Sequence, residues 1–304
     1  MAKKNKENDI VTDGSRAITK FHVSDVVMVV ILVILCATCV VPFIHLLAKS
    51  VSSNTAVLAK KFSFWPIGFN VDAYASIFED GSMVRSFVYS VIVTLLFTLM
   101  GMIACTCAAY PLSRKRLKGR TFFTFILMFP MYFSAGLIPT YLLYSDLHML
   151  DTVWVLILPL IYAPYNMLIM KTYFQSNIPD SLEEAAFLDG ATNFQIIWKI
   201  VLPLSKPILA TLSLFYAVGR WNAYADNKYY IRSESLKMVQ YKLSQLVSSA
   251  SEAQTAQLSG DIVVSTPEVL QAACIMFVTI PIICVYPFLQ KYFVKGVMIG
   301  AVKG

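Results

Sequence analysis

The chain has 304 residues, of which 57% are apolar and only 14% are charged. A water-soluble domain carries about 25% charged residues, so this composition excludes an ordinary soluble protein. The net charge of +7 comes from basic residues at the ends of long uncharged runs, which is typical of membrane proteins. A nucleic-acid-binding protein would instead gather its basic residues on a solvated face, and that class is therefore disfavoured.

The cysteines and histidines indicate neither a metal centre nor a disulfide framework. All six cysteines lie inside apolar runs, where a packing role is expected, and the three histidines are scattered along the chain. No cysteine pair has the spacing of a metal site with a histidine nearby. The sequence therefore predicts that this chain binds no metal and no cofactor.

Long uncharged runs predict six membrane-spanning helices, because about 20 apolar residues cross a hydrocarbon core of about 30 Å. One of these runs, Leu202–Gly219, is short and contains Lys206 near its start, where a lysine can reach the membrane interface. In chain order the predicted spans are Val26–Ala48, Ser86–Tyr110, Thr121–Ser145, Thr152–Met170, Leu202–Gly219 and Val269–Leu289. The predicted fold class is an all-α integral membrane protein.

The third predicted span contains three residues that disturb a helix, namely Pro130, Gly136 and Pro139. Neighbouring helices can satisfy the carbonyl groups that a proline leaves without a donor, so the run still qualifies as a span. The sequence predicts a kinked third helix. A kink that gates a pathway and a kink without a function both remain open.

The distribution of basic residues predicts which side of the membrane each loop occupies. Lys and Arg concentrate in cytoplasmic loops, and Arg114, Lys115, Arg116, Lys118 and Arg120 all follow the second predicted span. This loop and both termini are therefore expected inside. The predicted organisation is a cytoplasmic segment at 1–24, a six-helix domain at 25–291 and a cytoplasmic tail at 292–304. The domain has an inner loop at 171–201 and an outer loop at 220–267.

The inner loop is longer than a simple connection between two helices. Ser181 and Glu184 have the spacing of a capping box, which predicts a helix start. Gly190 can end that helix in the left-handed conformation that other residues avoid. Either Thr192 or Asn193 can cap a second short helix at Phe194–Ile200. The predicted order is helix, glycine turn, helix.

The same loop carries a spaced motif. Glu184-Ala185-Ala186 is followed after three residues by Gly190 and after nine more by Ile200, Leu202 and Pro203. This arrangement resembles the "EAA" signature of the membrane subunits of bacterial ATP-binding-cassette (ABC) importers. The stretch from Ile178 to Pro203 looks like the carbohydrate-uptake branch and is similar to its maltose-type second permease. The C-terminal tail resembles the subgroup associated with complex oligosaccharides and aldouronates.

The resemblance implies the type I ABC importer permease fold and a role as half of the translocation pathway for a sugar or oligosaccharide. The implied partners are a homologous second permease, two ATPase subunits that hold ATP and Mg, and an extracytoplasmic solute-binding protein. The implied location is the bacterial cytoplasmic membrane. In such systems a short coupling helix of each permease sits in a groove on an ATPase subunit. The residues expected to form the coupling loop are Glu183, Glu184, Ala185, Ala186, Asp189, Gly190, Ile200, Leu202 and Pro203.

The resemblance also gives the C-terminal tail two interpretations. In maltose-type systems the equivalent tail reaches between the ATPase subunits, and Gly296, Gly300 and Gly304 suit a flexible chain that inserts there. The other interpretation is a frayed chain end.

Aromatic and amide side chains suggest a path for a sugar, because sugars present apolar faces as well as hydroxyl groups. Interfacial anchoring explains the aromatic residues at the outer mouth equally well. Contacts between helices explain the residues inside the membrane equally well. The candidates for the substrate path are Tyr132, Tyr165, Asn166, Trp221, Asn222 and Tyr224.

Two other function classes fit the sequence less well. An ion-coupled secondary transporter needs acidic or histidine side chains inside its spans, and the six predicted membrane cores contain no Asp or Glu. An enzyme needs a polar constellation at catalytic spacing, and the chain also lacks a phosphate-binding glycine loop. We therefore expect a transport subunit that is not itself an enzyme, with the secondary transporter as the alternative.

Overall fold

The computed structural model describes residues 23–58, 64–258 and 268–301, and every regular element in these ranges is helical. The α-helices are α1 Val23–Ser50, α2 Asn54–Leu58, α3 Asp72–Asp80, α4 Ser82–Ser113, α5 Arg120–Met128, α6 Leu137–Asp146, α7 Val153–Ile157, α8 Pro164–Asn177, α9 Asp180–Leu188, α10 Asn193–Ile196, α11 Leu202–Leu204, α12 Lys206–Asn222, α13 Ala225–Tyr230, α14 Val239–Leu258 and α15 Glu268–Ala301. Turns of 3-10 helix lie at Phe129–Met131, Leu158–Leu160 and Glu234–Leu236, and a π-helical turn lies at Ile197–Val201. The all-α prediction is confirmed for these residues.

The chain forms two compact units, Met1–His45 and Leu46–Gly304. In the first unit the described backbone is the greater part of α1, which contains Pro42. Residues 1–22 of the predicted N-terminal segment lie outside the described residues. In the second unit α15 continues through Ala301, so the predicted tail at 292–304 is helical as far as that residue. Residues 302–304, and with them Gly304, lie outside the described part.

Three described helices are long and apolar enough to cross a membrane by themselves, over Asp25–Ser50, Ser82–Ser113 and Glu268–Val285. The number rises to five if each of two bent helix pairs is counted as one span. The first pair joins Val153–Leu160 to Pro164–Asn177 at an angle of 47°, and the second joins Asn193–Leu204 to Lys206–Asn222 at 85°. By length and composition these helices are those of a membrane protein. The fourth predicted span is bent, and the fifth is bent near its start.

Proline accounts for both bends, because it lacks an amide hydrogen and cannot continue a preceding helix. Pro159 lies in the 3-10 turn that ends the first half of the fourth predicted span, and Pro164 begins α8. Pro207 lies in the first turn of α12, where a proline is tolerated. The fifth predicted span therefore begins at Lys206 rather than at Leu202.

The third predicted span is interrupted, which goes further than the predicted kink. Helix α5 ends in the 3-10 turn at Phe129–Met131, and α6 begins only at Leu137. Gly136 precedes α6 with a φ of +85°, a conformation that side chains strongly disfavour. The helix breakers noted in the sequence thus divide the run into two helices.

The core of the second unit forms around α4, α8 and α12. Gly101 of α4 lies against Tyr216 of α12, and a Cβ atom at Gly101 would be only 2.6 Å from the tyrosine ring. Small residues permit this kind of close approach between membrane helices. Buried apolar residues of this core include Val93, Phe97, Cys105, Ala109, Leu156, Met167, Met170, Phe174, Leu212 and Tyr216. A second cluster, with Cys274, joins α3, α4, α14 and α15.

Candidate functional site: the coupling loop

Helix α9 forms the first half of the predicted inner loop, and its two ends are well defined. It begins after Pro179, which has extended backbone angles, and its first turn contains the acidic residues Asp180 and Glu183. Carboxylates are favoured at this end by the partial positive charge of a helix N-terminus. The predicted capping box is wrong, because Ser181 lies inside the helix. Gly190 follows the helix with a φ of +81°, which confirms the predicted glycine turn.

The second half of the loop begins with a capping box that the sequence only partly identified. The Thr192 hydroxyl accepts a hydrogen bond from the Gln195 amide at 3.3 Å, and the Gln195 side chain accepts one from the Thr192 amide at 2.9 Å. Helix α10 is short and changes into the π-helical turn, so the predicted helix Phe194–Ile200 is only α-helical as far as Ile196. Pro203 cannot donate to the carbonyl four residues earlier, which favours this distortion.

The motif residues of α9 divide between two faces. Glu183 and Ala186 are buried against the rest of the chain. Glu184, Ala185 and Asp189 are exposed. The sequence assigned both alanines to the contact with a partner, but Ala186 faces this chain's own core. The exposed face of α9 is therefore the one available to another protein.

Exposed apolar side chains extend the exposed face of α9. Leu188, at the end of α9, is 90% exposed. Phe194 and Trp198 are also exposed, and their rings stack with centroids 6.3 Å apart. Large apolar residues exposed beside polar ones are a feature of protein interaction sites.

The last three motif residues lead from the loop to α12. Ile200 is half-buried in the π-helical turn and packs against the main core. Leu202 and Pro203 form the single turn of α11, which is followed by the 85° bend. These residues therefore determine the direction in which the chain leaves the loop.

A buried arginine holds α9 in place. Arg114 follows the last residue of α4 and is only 2% exposed. Its Nε lies 2.9 Å from the Glu183 carboxylate. Its Nη1 donates to the Ile178 carbonyl at 3.0 Å and lies 3.3 Å from the Asp180 carboxylate. One guanidinium group thus contacts the residues before α9, its first residue and its first turn.

A second arginine in the same loop extends the contact to α10. Arg116 donates a hydrogen bond to the Asn193 side chain at 2.7 Å, and its guanidinium group lies 4.6 Å from the centroid of the Phe187 ring. Its distance to the Glu183 carboxylate is 3.9 Å. A cavity of about 570 Å³ opens beside these groups, lined by Arg114, Lys115, Arg116, Asp180, Glu183, Glu184 and Phe187. In the sequence, both arginines served only to predict which side of the membrane the loop occupies. Nothing in their spacing identified their partners.

The candidate substrate-path residues occupy three separate places. Tyr132 is 83% exposed where the third predicted span is interrupted, and Tyr165 is 57% exposed in the first turn of α8. Asn166 is buried and lines a cavity of about 180 Å³ together with Arg220. Trp221 is half-buried and packs edge-on against Phe87 with the ring centroids 5.5 Å apart, which is a packing contact. The two remaining candidates are exposed: Asn222 is the last residue of α12, and Tyr224 directly precedes α13.

Arg220, which the sequence placed in the outer loop, is instead buried in the last turn of α12. It is 1% exposed, and its Nη1 lies 2.5 Å from the Asp226 carboxylate. The same nitrogen donates to the Leu156 carbonyl at 2.9 Å. A buried arginine needs such partners, because an unpaired charge in a protein interior is costly. Arg220 therefore joins α12 to the end of α7 and to α13.

Asp151 organises the neighbouring connection between α6 and α7. Its carboxylate accepts hydrogen bonds from the Ser233 hydroxyl at 2.5 Å and from the backbone amides of Ser233 and Arg232 at 2.8 and 2.9 Å. These bonds favour the charged form, and the Ser233 hydroxyl contributes most to holding the pKa of Asp151 below its ordinary value. The backbone φ of +56° at Asp151 is uncommon for a residue with a side chain.

Taken together, long apolar helices, an interrupted span and a helix–glycine–helix loop with an exposed face define the fold of an ABC importer permease. The chain belongs to the family of binding-protein-dependent transport system inner membrane components, whose family model matches residues 98–299. It is 42% identical over 270 residues to the polygalacturonan/rhamnogalacturonan transport system permease protein YtcP of Bacillus subtilis (strain 168), covering 88% of this chain and 93% of that protein. It is 38% identical to Protein LplC of the same organism, covering 88% of this chain and 90% of LplC.

Similarity extends to a solved structure. A bacterial ABC transporter involved in the import of the acidic polysaccharide alginate contains a chain with a TM-score of 0.81 and 33% sequence identity. The match covers 90% of this chain and 99% of that one. The fold and the family that the resemblance implied are therefore confirmed.

Proposed function

We propose that this chain forms half of the translocation pathway of an ABC importer in the bacterial cytoplasmic membrane, with six spans and both termini in the cytoplasm. The pathway is completed by a homologous second permease. A solute-binding protein delivers the substrate from outside. Two ATPase subunits bind ATP and Mg, and this chain supplies no catalytic residue to that reaction.

The observation that carries the proposal is the exposed face of the coupling loop. Glu184 and Ala185 are exposed, whereas Glu183 and Ala186 are buried on the opposite face of α9, against the rest of the chain. The small Ala185 side chain permits close approach of a partner, and Glu184 offers a charge-assisted contact to a basic residue. Leu188, 90% exposed, adds an apolar contact. The proposed contact surface for an ATPase subunit thus combines charge with apolar area.

The two halves of the interrupted third span favour an aqueous path beside them. Irregular backbone at membrane depth is tolerated where it is buried in protein or lines a water-filled cavity. All residues from Tyr132 to Gly136 are exposed in the isolated chain. This supports Tyr132 and Tyr165 as residues of the substrate path, with the second permease forming the opposite wall. Asn222 and Tyr224 are proposed at its outer mouth.

An acidic oligosaccharide is the proposed substrate. One relative is named for polygalacturonan and rhamnogalacturonan, and the similar solved structure is that of an alginate importer. Both names refer to polymers that contain uronic acids. The wider carbohydrate class is supported by a further relative named for arabinooligosaccharide transport, which is 26% identical.

The test begins with affinity purification of the chain from its native membrane. We expect an ATPase, a second permease and a solute-binding protein to co-purify, and the complex to import galacturonate oligomers into liposomes only when ATP is present. Recovery of the chain alone, with transport that is independent of ATP, would contradict the proposal and favour an ion-coupled carrier.

Two substitutions test the coupling loop. Glu184→Lys reverses an exposed charge on the proposed contact face, and Gly190→Asp puts a side chain at a φ of +81°. We expect both variants to insert in the membrane but to lose the ATPase subunit or to hydrolyse ATP without transport. Glu79→Lys makes the same charge reversal at an exposed position of α3 and serves as the matched control. Normal import by both loop variants would refute the assignment.

A further inference from the structure

The pair formed by Arg114 and Glu183 is more deeply buried than its position at the end of a membrane helix requires. The two side chains are only 3% and 5% exposed. Removing two charges from water is costly, and apolar side chains of similar volume often hold two helices at least as firmly. Simple attachment of α9 to the core is therefore a poor explanation for a buried ion pair at this place.

The contacts of Arg114 fix the direction of α9 as well as its position. The guanidinium group contacts the Ile178 carbonyl before the helix, the Asp180 carboxylate at its first residue and the Glu183 carboxylate one turn later. Its Nη1 donates hydrogen bonds to Ile178 and Asp180, whereas its Nε forms an ion pair with the Glu183 carboxylate without a hydrogen bond. A shift of α9 by one residue, or a rotation about its axis, would leave buried charges without partners, whereas an apolar contact would tolerate either.

The chain connections of the loop by themselves transmit motion to α8 and α12 only. Helix α9 follows α8 through Ile178 and Pro179, and α10 leads to α12 through the π-helical turn and the 85° bend. Helix α4 is distant in sequence, and Arg114, directly after its last residue, contacts α9. Because α4 packs against α12 at Gly101 and Tyr216, this contact completes a closed set of connections among the three core helices.

We propose that the Arg114–Glu183 pair is a positioning element that makes α9 and α4 move as one body. This inference rests on the proposed function, in which an ATPase subunit moves α9. The two neighbouring glutamates then have different tasks. Glu184 faces the ATPase, and Glu183 faces inward and carries the motion to the membrane helix.

The test uses the whole importer complex with a reporter in the interrupted span. Ala135→Cys is introduced into a chain whose six native cysteines have been replaced, because Ala135 is exposed and close to cysteine in size. The rate of its reaction with a membrane-impermeant maleimide is measured without nucleotide and after trapping with MgATP and vanadate. ATP hydrolysis and the amount of assembled complex are measured on the same samples, so no substrate has to be known.

Glu183→Gln is the informative variant, since it removes the charge and keeps the shape of the side chain. We expect the complex to assemble and hydrolyse ATP while the nucleotide-dependent change in the maleimide rate falls about fivefold or more, as expected for loss of a coupling energy. The conservative variant Glu183→Asp, which keeps the charge, should retain much of the nucleotide-dependent change. Lys118→Gln, in the same loop but exposed, is the control.

Two results would overturn the inference. In the first, Glu183→Gln keeps the full nucleotide-dependent change. In the second, the change and the hydrolysis fall together in proportion to the amount of assembled complex, which would indicate a structural role only. If the proposed function itself is wrong, the result differs from both of these. No ATPase subunit would then co-purify with the unsubstituted chain, and its maleimide reaction rate would not change with nucleotide.

Discussion

Arg114 and Arg220 both lie at the C-terminal end of a long core helix. They differ in how far along the chain their acidic partners lie. Arg220 pairs with Asp226, six residues further along the chain, and so stabilises a local corner between α12 and α13. Arg114 pairs with Asp180 and Glu183, which belong to a helix that follows two further spans. In both places a cation complements the partial negative charge of a helix C-terminus.

The difference indicates two uses of the same kind of residue. Arg220 contacts α7, α13 and Met238 and adjoins a cavity of about 180 Å³. The corner at Arg114 adjoins a larger cavity and an exposed helix face. We therefore expect Arg220 to stabilise the fold, whereas Arg114, which holds a helix with an exposed face, is the residue proposed to transmit the movement of a partner. Substitutions at the two corners should therefore differ in what they damage.

The largest effect is expected for Arg220→Leu. It leaves the partly buried Asp226 carboxylate without its cation and the Leu156 carbonyl without a donor, and breaking a buried pair costs about 3–5 kcal/mol. We expect little folded protein in the membrane and a large fall in the melting temperature of the detergent-purified chain. Arg232→Gln removes an exposed arginine nearby and should change stability by less than about 1 kcal/mol. Equal stability of the two variants would contradict the difference between the corners.

A smaller effect is expected at the contact between the two helices that carry these arginines. In Gly101→Ala the new Cβ would lie 2.6 Å from the Tyr216 ring, so the helices must separate or the ring must move. Overpacking of this kind costs about 1–3 kcal/mol, measured as a lower melting temperature in detergent.

The matched control for this substitution is Gly219→Ala, also in a helix. A Cβ atom at Gly219 would meet nothing within 4 Å. Alanine favours a helix over glycine by about 0.5–1 kcal/mol, so stability should be unchanged or slightly increased. If both alanine variants behaved alike, the close approach of α4 and α12 would not be the cause.

The smallest effect is expected at Asp151, beside the corner of Arg220. Hydrogen bonds from Ser233 and Arg232 hold its pKa in the folded protein below the ordinary value, which is about 3.9. The folded state thus gains stability from this group above about pH 4 and loses it as the pH falls through the lowered pKa. Asp151→Asn should be slightly less stable at neutral pH and should show a weaker loss below pH 4 in melting curves. Identical pH profiles would exclude this contribution.

The sequence alone determined the class of the protein and the order of its elements. Long uncharged runs can only be buried in lipid or in protein, and their length predicted where membrane helices occur. The helix–glycine–helix loop was also readable, because Gly190 adopts a conformation that only glycine adopts easily. These features depend on residues that are close together in the chain. The spacing of the motif, in addition, indicated the family.

Tertiary structure alone decided which residues of the loop are exposed and which face the core. Glu183 and Glu184 are adjacent and chemically identical, and the positions of Arg114 and Arg116 distinguish the buried one from the exposed one. Arg220 likewise looked like an outer-loop charge until Asp226 and the Leu156 carbonyl were seen to surround it. The physical reason is that burial of a charge depends on partners distant in sequence or folded back on it, and local patterns do not encode their positions.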